Sequence, residues 1–124
     1  MKNINIEQLD EKDEEIADIL ISLGMSRNVA TTLIYLQNKN AAKSIDLERV
    51  GRLHQPEVSI AMRQLKERGW ITEREEKKTG KGRPNKIYSL KVGFNDIIAQ
   101  IETERKKTVD MAQAKIERLK EMGK

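Results

Sequence analysis

Apolar residues recur at helical spacing over the first forty positions of the chain. A stripe repeating at intervals of 3, 4 or 7 is typical of one face of an amphipathic helix, and it consists of Ile6, Leu9, Ile16, Leu20 and Leu23. Gly24 ends this pattern. Ser26 can cap a second helix that ends near Asn40, with an inward face made of Val29, Ala30, Leu33, Ile34 and Leu36. The pattern therefore predicts two helices before residue 41.

Two shorter helices are predicted next, over 44–52 and 55–68. Ser44 is the expected cap of the first, Leu47 and Val50 are its inward residues, and Ile45 is expected in a short strand. In the second helix the positions i, i+3, i+4 and i+7 form an apolar stripe of Val58, Ala61, Met62 and Leu65. Its opposite face centres on Pro56, Ile60, Arg63 and Glu67, flanked by Ser59 and Gln64.

A β-hairpin is predicted after Gly69, which can take the left-handed conformation that ends a helix. Its strands cover 70–74 and 86–90, and the connection between them is rich in lysine and glycine. Trp70 is expected to pack where the helix meets the first strand, with its indole N–H near the surface.

Beyond Phe94 the sequence predicts one long charged helix that reaches Gly123. A seam with heptad spacing runs along it through Phe94, Ile98, Ile101, Arg105, Thr108, Ala112, Lys115, Leu119 and Met122. A helix this polar gains little by folding alone, so we expect it to pair with a second subunit. The residues expected at that dimer interface are Ile6, Leu9, Ile16, Leu20, Phe94, Ile98, Ile101, Ala112 and Leu119.

Composition narrows the class of protein. With 124 residues, 35% charged and only 3% aromatic, the chain should be mainly α with a small β-hairpin and an aliphatic core. The absence of cysteine excludes disulfides, thiolate metal sites and cysteine nucleophiles. No apolar run approaches the ~20 residues that span a bilayer, and the N-terminus does not resemble a signal peptide. We therefore expect a cytoplasmic protein without a membrane partner; its lysine- and glutamate-rich composition hints at an archaeal source.

Charge is distributed unevenly about the net value of +4. Residues 1–24 carry −5, residues 25–95 carry +8 and residues 96–124 carry +1. The expected organisation is an acidic helix over 1–24, a central domain over 25–92 and a dimerisation helix over 93–124. A basic centre between less basic ends is typical of a protein whose middle contacts phosphates.

Two helices joined by a tight turn and followed by a basic hairpin are typical of a winged helix-turn-helix that binds double-stranded DNA. The second helix of such a motif enters the major groove, and the basic hairpin, or wing, contacts the backbone or minor groove. The DNA-contacting residues predicted here lie in 44–64 and in 77–86: Ser44, Gln55, Pro56, Glu57, Ser59, Ile60, Arg63, Gln64, Lys77, Lys78, Lys81, Arg83 and Lys86.

The run from Gly51 to Ile71, GRLHQPEVSIAMRQLKERGWI, resembles the recognition-helix segment of winged-helix transcription regulators of the MarR, ArsR and TrmB-like groups. The resemblance covers about residues 20–91 and implies a winged-helix fold and DNA binding. ArsR-type metal chemistry does not transfer, because the chain lacks the cysteine or histidine clusters it requires, and no metal or cofactor is expected. A TrmB-type sugar-sensing domain would have no room. Many relatives have a polar residue at Ile60, where this chain can offer only an apolar contact to a thymine methyl group.

Several residues have a simpler interpretation beside the functional one. Arg63 can contact a guanine edge or a phosphate, or it can pair with Glu67 four residues on. The basic wing can be a solvated loop. His54, the single histidine, is better explained as a turn or cap residue than as a metal ligand or general base. The acidic cluster over 11–18 is better explained as a solvated helix face or a surface for a basic partner than as a cation site.

The leading hypothesis is a homodimeric, sequence-selective, DNA-binding transcription regulator, with the transcription machinery as a further candidate partner. The alternative is a winged helix that serves as a protein-interaction module in transcription or RNA processing, which the concentrated positive charge disfavours. RNA binding is disfavoured by the scarcity of aromatic residues. An enzyme is rejected, since no phosphate-binding glycine loop or nucleophile motif is present.

Overall fold

The structure is a computed structural model, and it describes residues 9–76 and 85–123. The elements within these residues are α1 (Glu11–Ser22), α2 (Arg27–Lys39), β1 (Ala41–Lys43), α3 (Ser44–Gly51), α4 (Gln55–Glu67), β2 (Ile71–Glu76), β3 (Asn85–Leu90) and α5 (Phe94–Met122). They divide into two compact units, one reaching Lys91 and the other beginning at Val92. The predicted fold class, mainly α with a small β-hairpin and a long C-terminal helix, is confirmed.

The first two helices begin at polar caps. Asp10 caps α1, where its carboxylate accepts the Asp13 N–H at 2.8 Å and the Asp13 carboxylate accepts the Asp10 N–H at 3.3 Å. Ser26 caps α2 by accepting the Val29 N–H at 3.2 Å, as predicted. The Asn38 side-chain amide also donates to Asp13 at 3.0 Å, which ties α1 to α2.

The core of the first unit is aliphatic and is centred on α2 and α4. All five residues predicted on the inward face of α2 are buried, as is the predicted α4 stripe of Val58, Ala61, Met62 and Leu65. Ala17 and Leu20 of α1 are buried as well. Leu20 is thus part of this core, and its place at a dimer interface stays a prediction. Ile6 lies outside the described residues.

The sheet is antiparallel with strand order β1-β3-β2. The strand that joins the hairpin is Ala41–Lys43, in which Ala42 pairs with Tyr88. The placement of Ile45 in this strand is therefore wrong: Ile45 lies in α3 and is 45% exposed. Ser44 is not the cap but the first residue of α3, because the Asp46 carboxylate accepts the N–H of Lys43 at 3.3 Å and fixes Lys43 as the N-cap.

The junction between α4 and the hairpin is built on Gly69 and Trp70. Gly69 has φ +78°, the left-handed conformation predicted for it, and the Trp70 N–H donates to the Leu65 carbonyl at 3.2 Å. Trp70 is 0% exposed. The expectation that its indole edge lies near the surface is wrong, since the whole side chain is enclosed.

The second unit contains α5, a helix of 29 residues and about 44 Å. Its limits agree with the prediction. Of the residues in this helix, Ile97 is buried, whereas every position from Glu102 to Met122 is exposed.

Candidate nucleic-acid interface

The outward face of α4 is an exposed surface of mixed polarity. Gln55, Pro56, Ser59, Ile60, Arg63 and Gln64 are all exposed, while the stripe on the opposite side is at most 1% exposed. Four buried aliphatic side chains thus anchor the helix and hold its other face away from the core. Ile60, near the middle of this face, is 47% exposed.

The start of α4 is fixed by a short left-handed turn and by Glu57. Arg52 has φ +54° and ends α3, and His54 is the N-cap residue of α4. The His54 N–H donates to the Glu57 carboxylate at 2.8 Å. The interpretation of His54 as a cap residue is confirmed, although its backbone rather than its ring makes this bond. Glu57 is half-buried, and its carboxylate has this structural role within the chain.

Arg63 has no intrahelical partner among the described residues. The pair with Glu67, the simpler interpretation of this side chain, is absent there, whereas ion pairs join other side chains of the same unit. The Arg63 side chain is exposed. Ser44, at the start of α3, is half-buried.

The base of the hairpin is held by ion pairs around Glu73. Lys66 Nζ of α4 lies 3.2 Å from one carboxylate oxygen of Glu73, and Lys86 Nζ of β3 lies 3.6 Å from the other. Lys86, a predicted DNA contact, is thus already paired inside the chain. The remaining predicted wing contacts, Lys77, Lys78, Lys81 and Arg83, lie outside the described residues.

Glu76 is the centre of a second set of polar contacts, at the end of β2 and β3 that is next to the connection between them. Its carboxylate accepts a hydrogen bond from the Asn85 amide at 3.3 Å and lies 3.5 Å from Lys43 Nζ. The Asn85 hydrogen bond and then the Lys43 charge lower the pKa of Glu76 below its ordinary value. Burial, with a smaller contribution from Glu73, raises the pKa of Tyr88 on the same sheet.

One surface that was not predicted from the sequence lies at the N-terminus of α2. Ser26 and Asn28 line a shallow groove together with Glu57, Ile60 and Gln64 of α4. Arg27 is exposed, and Arg27, Arg49 and Arg52 border a neighbouring cleft between α1, α2 and α3 that also contains Glu14 and Asp18. The signal for it in the sequence is the polar triplet Ser26-Arg27-Asn28 at the start of α2.

The candidate dimerisation residues differ in exposure. Leu9 and Ile16 in the first unit are half-buried, as are Phe94 and Ile101 in the second. Ile98, Ala112 and Leu119 are exposed, with Leu119 at 67%. These α5 side chains leave apolar surface uncovered along the helix.

Two searches over the described part of the chain are negative. It contains no cluster of three or more histidine, cysteine, aspartate or glutamate side chains arranged to hold a metal ion. Within 9–76 and 85–123, no helix is both long and apolar enough to cross a membrane.

No family model matches the chain, and no curated protein matches it. Solved structures do. TrmBL2, described as an archaeal chromatin protein with a novel mode of DNA binding, is similar at a TM-score of 0.68 and 15% identity, over 88% of this chain and 40% of that one. A possible transcriptional regulator from Methanosarcina mazei Go1 is similar at 0.64 and 16%, over 85% and 86%. NadR in complex with 4-hydroxyphenylacetate is similar at 0.52 and 14%, over 88% and 79%.

At these identities the likeness concerns the fold. The chain has the winged-helix architecture of these proteins, so the fold that the sequence resemblance implies is confirmed. It spans less than half the length of TrmBL2.

Proposed function

We propose that this protein is a double-stranded DNA-binding transcription regulator that acts as a homodimer. The observation that carries the proposal is the exposed outward face of α4, where Arg63 has no intrahelical ion pair and the opposite face is locked into the core. A helix presented in this way, ahead of a hairpin in a winged-helix fold, suits insertion into the major groove.

Each residue on this face has a role in the proposal. Arg63 contacts a guanine edge or a phosphate, and Ser59, Gln64 and Gln55 supply further polar contacts. Ile60 contacts a thymine methyl group. Pro56 and Ser44, each at the start of a helix, lie beside the DNA backbone. Glu57 serves the helix cap instead of a direct contact, and Ser26 and Asn28 join the phosphate-contacting edge.

The basic hairpin supplies the remaining affinity. The segment 77–86 carries five positive charges and no acid, and each phosphate it neutralises adds to the salt dependence of binding. Lys77, Lys78, Lys81 and Arg83 are the proposed backbone or minor-groove contacts. Lys86 is assigned a smaller part, since it is paired with Glu73.

Two of the similar structures support this assignment. TrmBL2 is described by its mode of DNA binding, and the Methanosarcina mazei protein as a possible transcriptional regulator. A homodimer would present two α4 helices to half-sites about 34 Å apart.

The test is DNA binding by fluorescence anisotropy, comparing a labelled duplex from the protein's own upstream region with a random duplex at two salt concentrations. Arg63→Ala should weaken binding to the upstream duplex by about 1–3 kcal/mol and reduce its preference over the random one. Lys12→Ala, which removes one positive charge from the exposed acidic face of α1, should leave that preference unchanged.

A variant with Lys81→Ala and Arg83→Ala should bind both duplexes more weakly and with a shallower salt dependence. Absence of binding to either duplex at low salt would contradict the proposal and favour a protein-docking module.

A further inference from the structure

Apart from Met111 and Met122, which are 53% and 67% exposed, the large apolar side chains that α5 exposes lie on one side of the helix. At 100° per residue they fall within a sector of about 80°. We call this surface the α5 stripe, and it consists of Ile98, Ile101, Arg105, Val109, Ala112, Ile116 and Leu119. It differs from the heptad seam in taking Val109 and Ile116, which are 52% and 45% exposed, in place of Thr108 and Lys115. Arg105 is then its one charged member.

The α5 stripe needs a partner surface against which its apolar side chains can be buried. All residues of α5 from Glu102 onward are exposed in the single chain, and isolated helices are only marginally stable in water. Beyond Glu102 the other faces of this helix are mainly charged or polar, with Met111 and Met122 as their large apolar side chains, so the stripe is the longest surface along which it can bury apolar area.

We infer that the α5 stripe pairs with the α5 stripe of a second copy in antiparallel orientation. The inference rests on the homodimer of the proposed function and specifies which surface forms it and in which direction. Pairing is centred between Thr108 and Val109.

Arg105 favours this orientation over the parallel one. In a parallel, in-register pair every residue faces its own copy, so two Arg105 guanidinium groups would oppose each other within the apolar seam. In the antiparallel pair Arg105 faces Ala112, whose short side chain leaves room for the arginine stem. The same register opposes Ile98 to Leu119 and Ile101 to Ile116, so large aliphatic side chains meet at both ends.

The charge distribution along α5 favours the same orientation. Residues 94–104 contain three acidic side chains and no basic one, whereas residues 105–122 contain six basic and three acidic ones. Parallel pairing would place the acidic segment beside its copy. Antiparallel pairing places it beside residues 113–123, which carry three basic and two acidic side chains, and flanking charges of this kind contribute to orientation in paired helices.

This pairing separates the N-terminal ends of the two α5 helices. Phe94 of one copy lies opposite Gly123 of the other, so the two Phe94 positions are about 44 Å apart along the pair. The remainder of each chain is thus attached at opposite ends of the helix pair.

Cysteine crosslinking tests the orientation on a clean background, because the chain contains no cysteine. Three single variants are needed, Thr108→Cys, Ile98→Cys and Leu119→Cys, treated with a short bismaleimide. Thr108→Cys should crosslink to itself, since the two copies lie near the centre of the pair. Ile98→Cys should not, because its copies are about 30 Å apart. A mixture of Ile98→Cys and Leu119→Cys should give the crosslinked heterodimer.

Self-crosslinking of Ile98→Cys and of Leu119→Cys would establish the parallel orientation and overturn the inference. Failure of all crosslinks in a protein that sediments as a dimer would place the interface elsewhere and also overturn it. DNA binding by the same variants is measured separately. Retained binding with a parallel crosslink leaves the proposed function standing, whereas a monomer that binds no DNA removes both.

Discussion

The Arg68 guanidinium carbon lies 4.0 Å from the centre of the Trp70 ring. Gly69 is the one residue between them in the sequence. Gly69 turns the chain there with φ +78°, and Trp70 enters the core as the third residue after the end of α4 at Glu67. The C-terminal end of α4, the proposed recognition helix, is therefore joined to the hairpin by the buried Trp70, whose ring is in contact with Arg68. The direction of the hairpin relative to α4 depends on this junction.

Replacing Arg68 tests how much this contact stabilises the junction. Arg68→Gln should lower the free energy of unfolding by about 0.5–1 kcal/mol, the range for a contact between an exposed cation and an aromatic ring. Urea unfolding followed by the fluorescence of the single tryptophan measures it. Arg63→Gln, on the outward face of the same helix, should change stability by less than about 0.5 kcal/mol. Equal loss in the two variants would show that the ring contact is not the cause.

Gly69 should resist substitution because of its backbone, not because of crowding. A Cβ at this position would meet no atom within 4 Å, so Gly69→Ala should cost about 1–2 kcal/mol through its left-handed conformation alone. Gly69→Asn should cost less, since asparagine tolerates that conformation. Thermal unfolding of the two variants gives the comparison, and a larger loss in the asparagine variant would contradict this explanation.

The sequence predicts the elements that depend on local periodicity and leaves open those that depend on distant partners. The α4 stripe and the Ser26 cap follow from spacing and from local hydrogen bonding, and both predictions are confirmed. The predicted start of α3 at Ser44 is confirmed, but its cap is Lys43 and not Ser44, because the Asp46 carboxylate accepts the N–H of Lys43. Periodicity does not report such a contact.

The same reasoning explains two differences at the site. Lys86 looked like a free basic side chain, but it pairs with Glu73, which is thirteen positions away in sequence and is brought near by the hairpin. Trp70 was expected to keep its polar edge near the surface, yet the hairpin and helices enclose it fully. The depth of a side chain depends on the packing of several elements, which a single-sequence pattern does not contain.

Glu76 provides a pH-dependent test of the polar contacts that join β2 to β1 and β3. Its pKa, measured by NMR titration, should lie below 4.5, its ordinary value, because Asn85 and Lys43 both favour the charged form. Asn85→Ala should raise that pKa more than Lys43→Met, since the hydrogen bond is the larger cause. A pKa lowered on folding stabilises the fold above pH 4.5, and this contribution is lost as the pH falls through the lowered value. An unchanged pKa in both variants would contradict the arrangement.

Ile60 distinguishes a sequence-reading surface from a merely charged one. Because it is apolar and about half exposed, Ile60→Ala should change stability by less than about 0.5 kcal/mol. It should nevertheless weaken binding to the upstream duplex by about 1 kcal/mol, since an apolar contact with a thymine methyl group is lost. Binding to random duplex and the salt dependence should stay the same, because no charge is removed.

Ile19→Ala on α1 is the matched control, since Ile19 is 51% exposed and undergoes the same change of side chain. Ile19→Ala should change binding to neither the upstream nor the random duplex. Equal weakening of both duplexes by Ile60→Ala would mean that α4 contacts DNA without reading it, and selectivity would then have to come from Arg63 or from the shape of the DNA.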